Sequence, residues 1–319
     1  MQLDLLASTV LPVFGFIGIG YLSIAFRILR DESSDHVSNF VFTLGVPLLL
    51  VRAIGTMELP DVSPWPFWGT YFSAVLIHIA IGILVTEKIF KRDARAGVIG
   101  GMSASFSNLV MVGVPLVTQA FGEAGLVTIF MLVAVHLPFM MLVSAILIEV
   151  AEYRDGAAAG RVNVFAALKR VVRQLLRNPL VIGILVGLAI RVTGLPLVGV
   201  PRRLVDGLAE TAIPLALVAL GMSLNRYGIR GHVGPAIVLG IGKLMVLPGI
   251  VYVLAIHVVG LPPLPSAVLV LGAACPTGVN AYLIASRFQT GLALSANTIT
   301  LTTAASILSF TLWLSLLVD

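Results

Sequence analysis

The chain has 319 residues, of which 58% are hydrophobic and only 11% are charged, and its formal net charge is +5. A soluble domain carries about 25% charged residues, so this composition excludes a soluble protein and indicates one that is integral to a membrane. The apolar runs are about 20 residues long rather than about 10, which predicts transmembrane helices and an all-α class.

Ten apolar segments follow one another along the chain, and we predict that each is a transmembrane helix. They cover residues 5–26, 37–56, 66–86, 97–121, 124–148, 178–195, 204–224, 233–258, 265–288 and 292–317. The longest polar stretch follows the fifth segment and predicts three parts: a first five-helix repeat over 1–150, a cytoplasmic connector over 151–177 and a second repeat over 178–319. Because each half holds an odd number of helices, the second repeat is expected to be inverted.

Weak internal similarity supports the two repeats. Val46-Pro47-Leu48 in the second segment matches Ile213-Pro214-Leu215 in the seventh. Pro115 in the fourth segment matches Pro276 in the ninth at a nearly equal spacing. The pattern is therefore typical of a duplicated five-helix unit.

The basic residues between the segments predict the orientation. Most of them fall in alternate connections, beginning with Arg27 and Arg30 after the first segment. The opposite side holds few, namely Arg52, Arg191, Arg202 and Arg203. By the positive-inside rule the richer side is cytoplasmic, so both termini are expected outside a cell inner (cytoplasmic) membrane. This topology accounts for the positive charge, and no nucleic-acid partner is expected.

The fourth and ninth segments are each interrupted near the middle by a proline within a glycine-containing turn. The fourth reads Val112-Gly113-Val114-Pro115 at that point, and the ninth reads Cys275-Pro276-Thr277-Gly278. A break leaves backbone groups unpaired in lipid, and it is tolerated only where protein or a water-filled cavity surrounds it. Matching interrupted helices in two halves of a membrane protein point to a transporter binding site.

These breaks predict a binding site for an anion. We expect each proline to stand in the first turn of a half-helix and the residue before it to be extended. Two such N-termini would offer N–H groups and positive dipole ends to an anion. The predicted substrate-binding residues are Asn108, Gly113, Val114, Pro115, Cys275, Pro276, Thr277, Gly278 and Asn280. The alternative is that both helices are merely kinked.

Three ionisable residues are predicted to lie at depth in the membrane and are candidates for electrostatic or proton coupling. Lys243 stands about midway along the eighth segment, and His78 and His136 stand in the third and fifth. Such residues are costly in a membrane and are functional candidates. The alternatives are a lysine bonded to helix-end carbonyls and neutral histidines that pack helices together.

Several types of site are not expected. Neither broken segment has an Asp or Glu in its central stretch, which argues against sodium coupling. Cys275 is the single cysteine and is interpreted as a buried, inert thiol, so neither a metal site nor a cofactor is predicted. The scattered histidines lack a partner acid at their depth, so no enzyme is predicted.

The chain resembles the auxin efflux carrier family, which includes plant carriers and many bacterial permeases, over essentially its whole length. The resemblance is carried by three motifs: Asn108 through Gly113-Val114-Pro115-Leu116, Pro276-Thr277-Gly278-Val279-Asn280-Ala281, and Asn178-Pro179-Leu180-Val181-Ile182-Gly183. It implies ten helices with crossing broken helices 4 and 9, outside termini and an elevator mechanism. Helices 1, 2, 6 and 7 would form the scaffold, and helices 3–5 and 8–10 the transport domain.

The resemblance also implies organic-anion substrates, with Asn108 as a substrate-contacting residue, and a homodimer. The long cytoplasmic loop of the plant carriers is missing here. We therefore predict a secondary transporter, an efflux carrier of small organic anions such as auxin-like or dicarboxylic acids, that works without sodium. The alternatives are a sodium-coupled organic-anion symporter and a membrane receptor that binds the ligand without transport.

Overall fold

The computed structural model of the chain describes residues 2–57, 63–156, 173, 176–227, 229, 231 and 233–318. The described residues are helical and contain no strand beyond one isolated bridge. Seven of their helices are long and apolar enough to cross a membrane, and two shorter apolar helices cover Pro179–Thr193 and Pro263–Ala274. The all-α membrane class is confirmed, whereas ten helices in two inverted repeats stay a prediction.

Within the described ranges we number thirteen α-helices in chain order, and five π-helical turns lie between or after some of them. The α-helices are α1 (Gln2–Ala25), α2 (Glu32–Phe40), α3 (Val46–Thr56), α4 (Pro64–Leu84), α5 (Ala94–Ser105), α6 (Val114–Arg154), α7 (Pro179–Thr193), α8 (Gly199–Tyr227), α9 (Gly234–Ile241), α10 (Leu247–Tyr252), α11 (Pro263–Ala274), α12 (Val279–Arg287) and α13 (Leu292–Val318). The π turns are Val41–Gly45, Val85–Ile89, Leu109–Gly113, Gly242–Val246 and Val253–Val258.

The chain forms two compact units. Unit 1 comprises Met1–Val62, Val110–Val135 and Arg173–Arg226, and unit 2 comprises Ser63–Leu109, His136–Val172 and Tyr227–Asp319. The predicted connector lies mostly outside the described residues.

Unit 1 is built on close helix crossings. Gly20 of α1 faces the Val218 carbonyl of α8, and an added Cβ would come within 2.1 Å of that oxygen. Gly221 of α8 faces the Ile17 carbonyl of α1 at a comparable 2.0 Å. Such small residues let the backbones of membrane helices approach closely, which is how α1 and α8 pack without a polar contact at these positions.

In unit 2, the N-terminus of α5 is capped by polar contacts. The Asp93 carboxylate accepts a hydrogen bond from the Ala96 N–H at 2.7 Å. The Asp155 carboxylate, just beyond α6, accepts from the Ala94 and Arg95 N–H groups at 3.0 Å each. The Gly97 N–H then donates to the Asp93 carbonyl, so each of the first N–H groups of α5 has an acceptor.

Three π-helical turns share a position relative to a proline. The turns Val41–Gly45, Leu109–Gly113 and Gly242–Val246 each end two residues before a proline, at Pro47, Pro115 and Pro248. Proline lacks the N–H of an α-helical bond and crowds the carbonyl four residues before it. The wider π turn removes that clash and lets the helix continue through the proline.

This arrangement corrects the predicted position of the first break. Val114 and Pro115 are helical and begin α6, so the expectation that Val114 is extended is wrong. The break lies earlier, at residues 106–108, where Phe106 is extended with φ −74° and ψ 105°. The predicted boundary between the fourth and fifth segments falls at Gly122, whose φ of 61° and ψ of −146° interrupt α6.

The second break lies close to its predicted position. The helix α11 ends at Ala274, and Cys275 is extended with φ −55° and ψ 144°, as the proline after it predicts. Gly278 is also extended, and α12 begins at Val279. Pro276 therefore precedes the second half-helix by three residues instead of standing within its first turn.

Candidate functional site

The two helix breaks are joined directly within unit 2. The Asn108 N–H donates to the Pro276 carbonyl at 2.9 Å, and the Gly278 N–H donates to the Phe106 carbonyl at 2.8 Å. Ser107 and Thr277 thereby face each other as an antiparallel bridge. We call this arrangement, residues 106–108 with 276–278, the crossover bridge. It gives the interrupted backbone the partners that lipid does not provide.

Hydrogen bonds to α5 and α13 support the bridge at Thr277. The Thr277 hydroxyl donates to the Ser103 carbonyl at the end of α5 at 2.7 Å. The Thr277 N–H donates to the Thr302 hydroxyl of α13 at 3.0 Å. Two helices of unit 2, α5 and α13, thus fix one residue of the break, and Thr277 is completely buried.

These contacts change the interpretation of the predicted anion site. The N–H groups of Asn108, Thr277 and Gly278 are committed to protein acceptors. They are therefore not the free donors that an unpaired helix break would present. Positive charge and spare donors at this place must come from side chains, which directs attention to the lysine beside the bridge.

Lys243 is fully buried next to the crossover bridge. Its Nζ donates to the Ser107 hydroxyl at 3.0 Å and to the Ala273 carbonyl in the last turn of α11. Among the residues that the structure describes, Lys243 forms no ion pair. Helix-end carbonyls favour a nearby cation, but they do not neutralise its charge. An ammonium buried without a carboxylate is an unusual and costly feature of a membrane protein.

Tyr71 of α4 is a site residue that the sequence did not reveal. Its hydroxyl lies 3.1 Å from the Ser107 hydroxyl, and the side chain is completely buried. A tyrosine within an apolar segment resembles an ordinary packing residue. One available signal is its spacing of seven residues from His78, which places both residues on one face of α4.

The two histidines predicted at depth also lie at the breaks of unit 2. His78 Nδ1 lies 3.0 Å from the Ser105 hydroxyl at the end of α5. An added Cβ on Gly242 would come within 3.1 Å of His78 Nε2, so the ring packs tightly against the helix that carries Lys243.

His136 occupies an aromatic surrounding. Its ring lies 5.1 Å from the ring of Phe106, 5.8 Å from Tyr71 and 6.4 Å from Phe72, measured between centroids. The His136 side chain is buried among these rings. His136 therefore adds a polar group to the surroundings of Phe106.

The structure brings most of the predicted site residues together in unit 2, where Asn108, Cys275 to Gly278, Lys243, His78 and His136 surround the bridge. Asn280 is half-buried in the first turn of α12. The Cys275 thiol is buried and donates to the Leu271 carbonyl, in keeping with an inert thiol. Gly113, Val114 and Pro115 belong to unit 1, so the bridge itself does not include them.

Unit 1 holds a different charged cluster, in a cavity of about 480 Å³ that Arg52, Asp206 and Glu210 help to line. There Arg52 lies 3.9 Å from both carboxylates, and Arg202 pairs with Asp206 at 3.0 Å. In this cluster the arginines are paired with carboxylates, whereas Lys243 has no carboxylate partner among the described residues. The described residues contain no cluster of His, Cys, Asp or Glu side chains that could hold a metal ion.

Comparison with known proteins identifies the kind of protein to which this chain is similar. Residues 5–314 match the family profile described as "Membrane transport protein". A protein of Rhizobium meliloti named "Putative malonate transporter" is 24% identical over 322 residues, which cover 96% of this chain and 94% of that protein. An "Uncharacterized transporter" of Methanothermobacter thermautotrophicus is also 24% identical, with 96% of each chain covered.

Proposed function

Because the chain belongs to this family of membrane transport proteins, the auxin efflux carrier family that the sequence resembles, it is a transporter and not an enzyme, and we propose that it is a secondary carrier of a small organic anion. The proposed carrier exports its substrate across the cytoplasmic membrane by elevator-type alternating access and without sodium. Both termini would lie outside, and the carrier would work as a homodimer.

The observation that carries the proposal is the uncompensated charge of Lys243 beside the crossover bridge. Ser107 and the Ala273 carbonyl supply hydrogen bonds to the ammonium but no opposite charge. A small anion at the bridge would supply it, and a buried pair of opposite charges with good hydrogen bonds is far less costly than one buried charge. Substrate binding would thus relieve an electrostatic cost that the empty carrier bears.

The proposed roles of the other residues follow from their positions. Asn108, Cys275, Pro276, Thr277, Gly278 and Asn280 would line the substrate site, and the substrate-binding role of Gly113, Val114 and Pro115 stays a prediction from the sequence. His78 and His136 would provide proton linkage, since histidine changes charge near neutral pH. Each role is a prediction for substitution experiments.

We propose the ten-helix inverted repeat as the topology for this function. In the numbering of the ten predicted segments, the broken helices 4 (97–121) and 9 (265–288) would cross at the bridge. Helices 1, 2, 6 and 7 would form the scaffold, and helices 3–5 and 8–10 would carry the substrate. An elevator needs such a rigid carrier body, and the hydrogen bonds between the two breaks in unit 2 are suited to hold one together.

Dicarboxylates are the first substrates to test, because one relative is named a malonate transporter. An aromatic monocarboxylate such as indole-3-acetate represents the auxin-like class. Both classes are anions at neutral pH, so both could compensate the charge of Lys243.

The test is counterflow in proteoliposomes loaded with unlabelled substrate, with labelled malonate or indole-3-acetate outside, in sodium and in sodium-free buffer. We expect saturable uptake that does not require sodium and that Lys243→Met abolishes. Trp313→Phe is a matched control, because Trp313 bonds to the Leu244 carbonyl beside Lys243 without touching the bridge.

Three results would change the proposal. Uptake that requires sodium would favour the sodium-coupled symporter. Binding without counterflow would favour a receptor. Full uptake by Lys243→Met would overturn the proposed role of the lysine charge.

A further inference from the structure

The Ser107 hydroxyl has two hydrogen-bond partners, and their chemistry decides what it can still do. Lys243 Nζ lies 3.0 Å from Ser107 Oγ, and Tyr71 Oη lies 3.1 Å from it. An ammonium can only donate, so Ser107 Oγ must accept from Lys243. The contact with Tyr71 joins two hydroxyls, of which one donates and the other accepts.

Counting protons shows that one hydroxyl donor remains. Ser107 and Tyr71 together carry two O–H groups, and the contact between them uses one. If Tyr71 donates, the proton of Ser107 is left, and if Ser107 donates, the proton of Tyr71 is left. In either arrangement, one of the two hydroxyl protons has no acceptor among the described residues.

The ammonium leaves a second donor. Nζ carries three protons, and two point to Ser107 Oγ and to the Ala273 carbonyl. The third has no acceptor among the residues that the structure describes. The cluster of Lys243, Ser107 and Tyr71 therefore holds one positive charge and two uncommitted donors, and Ser107 Oγ lies within hydrogen-bond distance of both Lys243 Nζ and Tyr71 Oη.

We infer that this cluster is a subsite for one carboxylate group, in which the Lys243 ammonium and the spare hydroxyl each bind one oxygen, with Ser107 as a further substrate-binding residue. The inference rests on the proposed function, since it states how the transported anion is held. A carboxylate has two acceptor oxygens on one carbon and a full negative charge, so it matches both the number and the sign of what the cluster offers.

The same count predicts selectivity for an ionised carboxylate. An amide in its place would bring an NH₂ group to donors that need an acceptor, and it would leave the ammonium charge uncompensated. Sites built from buried donors reject analogues that leave those donors unpaired. A dicarboxylate would place one of its two carboxylates in this subsite. The half-amide of malonate keeps one carboxylate for the subsite and would lose only the contacts of the other.

The two hydroxyls are predicted to respond differently to removal. In Tyr71→Phe, Ser107 still accepts from Lys243 and keeps its own proton for the substrate but loses the hydroxyl that holds it in place, so malonate affinity should fall less than in Ser107→Ala. In Ser107→Ala, the lysine loses an acceptor and the remaining Tyr71 hydroxyl is not held beside it. Loss of a hydrogen bond to a charged group predicts malonate affinity about tenfold to a hundredfold weaker.

The experiment measures malonate binding to purified full-length protein by titration calorimetry, with malonamate and malonamide as neutralised analogues. Ser105→Ala is the matched control, because it removes a neighbouring hydroxyl that faces His78 and not Lys243. Ser107→Cys is a second variant that retains the side-chain shape but has a weak donor, so the inference can be tested if Ser107→Ala does not fold. We expect weaker binding in both Ser107 variants, unchanged binding in Ser105→Ala and no binding of malonamide.

The outcomes separate this inference from the proposed function. If wild-type protein binds malonate and the Ser107 variants bind it equally well, the subsite is wrong while the anion carrier stands. If the variants only lower the unfolding temperature, Ser107 is a structural residue and the subsite is again wrong. If wild-type protein binds neither malonate nor indole-3-acetate, the proposed function and the subsite fail together.

Discussion

At the scale of single residues, Lys243 separates the requirements of stability from those of transport. Its charge is buried against neutral oxygens, and a buried charge of this kind is costly to the folded state. A residue that costs stability and has no structural ion pair is expected to be retained for another reason. The proposed reason is the electrostatic attraction of a substrate anion.

We predict that Lys243→Met unfolds at the same temperature as the wild type or higher, while malonate uptake is lost. Methionine fills a similar volume without a charge to bury, so replacement is expected to be neutral or stabilising. Thermal unfolding in detergent and counterflow on the same preparation measure both quantities. A fall in unfolding temperature of more than about 4 °C, which for a chain of this length is more than about 1 kcal/mol, would show that the ammonium is structural instead.

For the site as a whole, the sequence predicted which residues belong to it better than it predicted which of them contact one another. Lys243, His78 and His136 stood out because ionisable groups are rare in apolar segments, and all three are buried near the bridge. Tyr71 did not stand out, because a tyrosine within such a segment is equally suited to packing. Its role depends on Ser107, which lies in the first break and is 36 residues away along the chain, and no local pattern reports that distance.

At the scale of elements, the prolines indicated which helices are broken but not where. Pro276 lies within its break, whereas Pro115 lies in a helix, because the preceding π turn accommodates it. The position of the first break is set by hydrogen bonds to residues 276–278, which belong to another part of the chain. A local proline rule does not contain that information.

The helix α13 stabilises the second break through one hydroxyl, and this predicts the effect of Thr302→Val. Valine has nearly the same shape but removes the acceptor of the buried Thr277 N–H. Leaving that donor unpaired should cost about 1–3 kcal/mol, seen as a lower unfolding temperature. The control Thr311→Val removes a hydroxyl that bonds only to Ile307 within α13, and it should change the unfolding temperature little.

The N-terminus of α5 predicts a pH dependence of stability. Burial acts to raise the pKa of the Asp155 carboxyl, but the N–H groups of Ala94 and Arg95 and the Arg95 guanidinium outweigh it, so the pKa lies below its ordinary value of 3.8. A carboxyl whose pKa is lowered in the folded state stabilises that state above its unfolded pKa, and the contribution is lost as the pH falls through the folded pKa.

We therefore predict that Asp155→Asn lowers the unfolding temperature at pH 7 and weakens its decline on acidification. The measurement is thermal unfolding of the wild type and the variant from pH 7 to about pH 3. In the acidic part of this range Asp155 becomes protonated, and its contribution to the stability of the wild type is lost. Parallel pH curves for the two proteins would contradict the proposed contribution of the carboxylate charge.

At the scale of the whole molecule, the distribution of basic residues predicts the orientation, and single cysteines can measure it. In a Cys275→Ser background, Gln289→Cys should react with an impermeant maleimide only from the cytoplasmic side. Val259→Cys should react only from the opposite side. Both positions are exposed, and they lie in the connections before and after the predicted ninth helix. Reaction of both from the same side would contradict the predicted crossing.

The composition and the segment lengths were sufficient to predict a helical membrane protein. The two broken segments and the family resemblance indicated a transporter, and the family match confirms it. Units 1 and 2 each combine stretches from both halves of the chain, so their membership depends on packing and not on sequence order. Periodicity and hydropathy describe each helix separately and do not specify which helices pack together. This is why the class could be predicted more readily than the arrangement.

The crossover bridge has a consequence for how the protein is made. Thr277 and its partner Ser103 are 174 residues apart along the chain, so synthesis passes through a long period in which the first break has emerged and its partner has not. Until then, residues 106–108 lack the acceptor and donor on which they depend. The rest of the chain must close a large loop before these bonds form, and such distant pairings form slowly. Assembly of the site is therefore expected to be a late event in biogenesis, and nascent chains that end before residue 275 should be preferred substrates for membrane proteases.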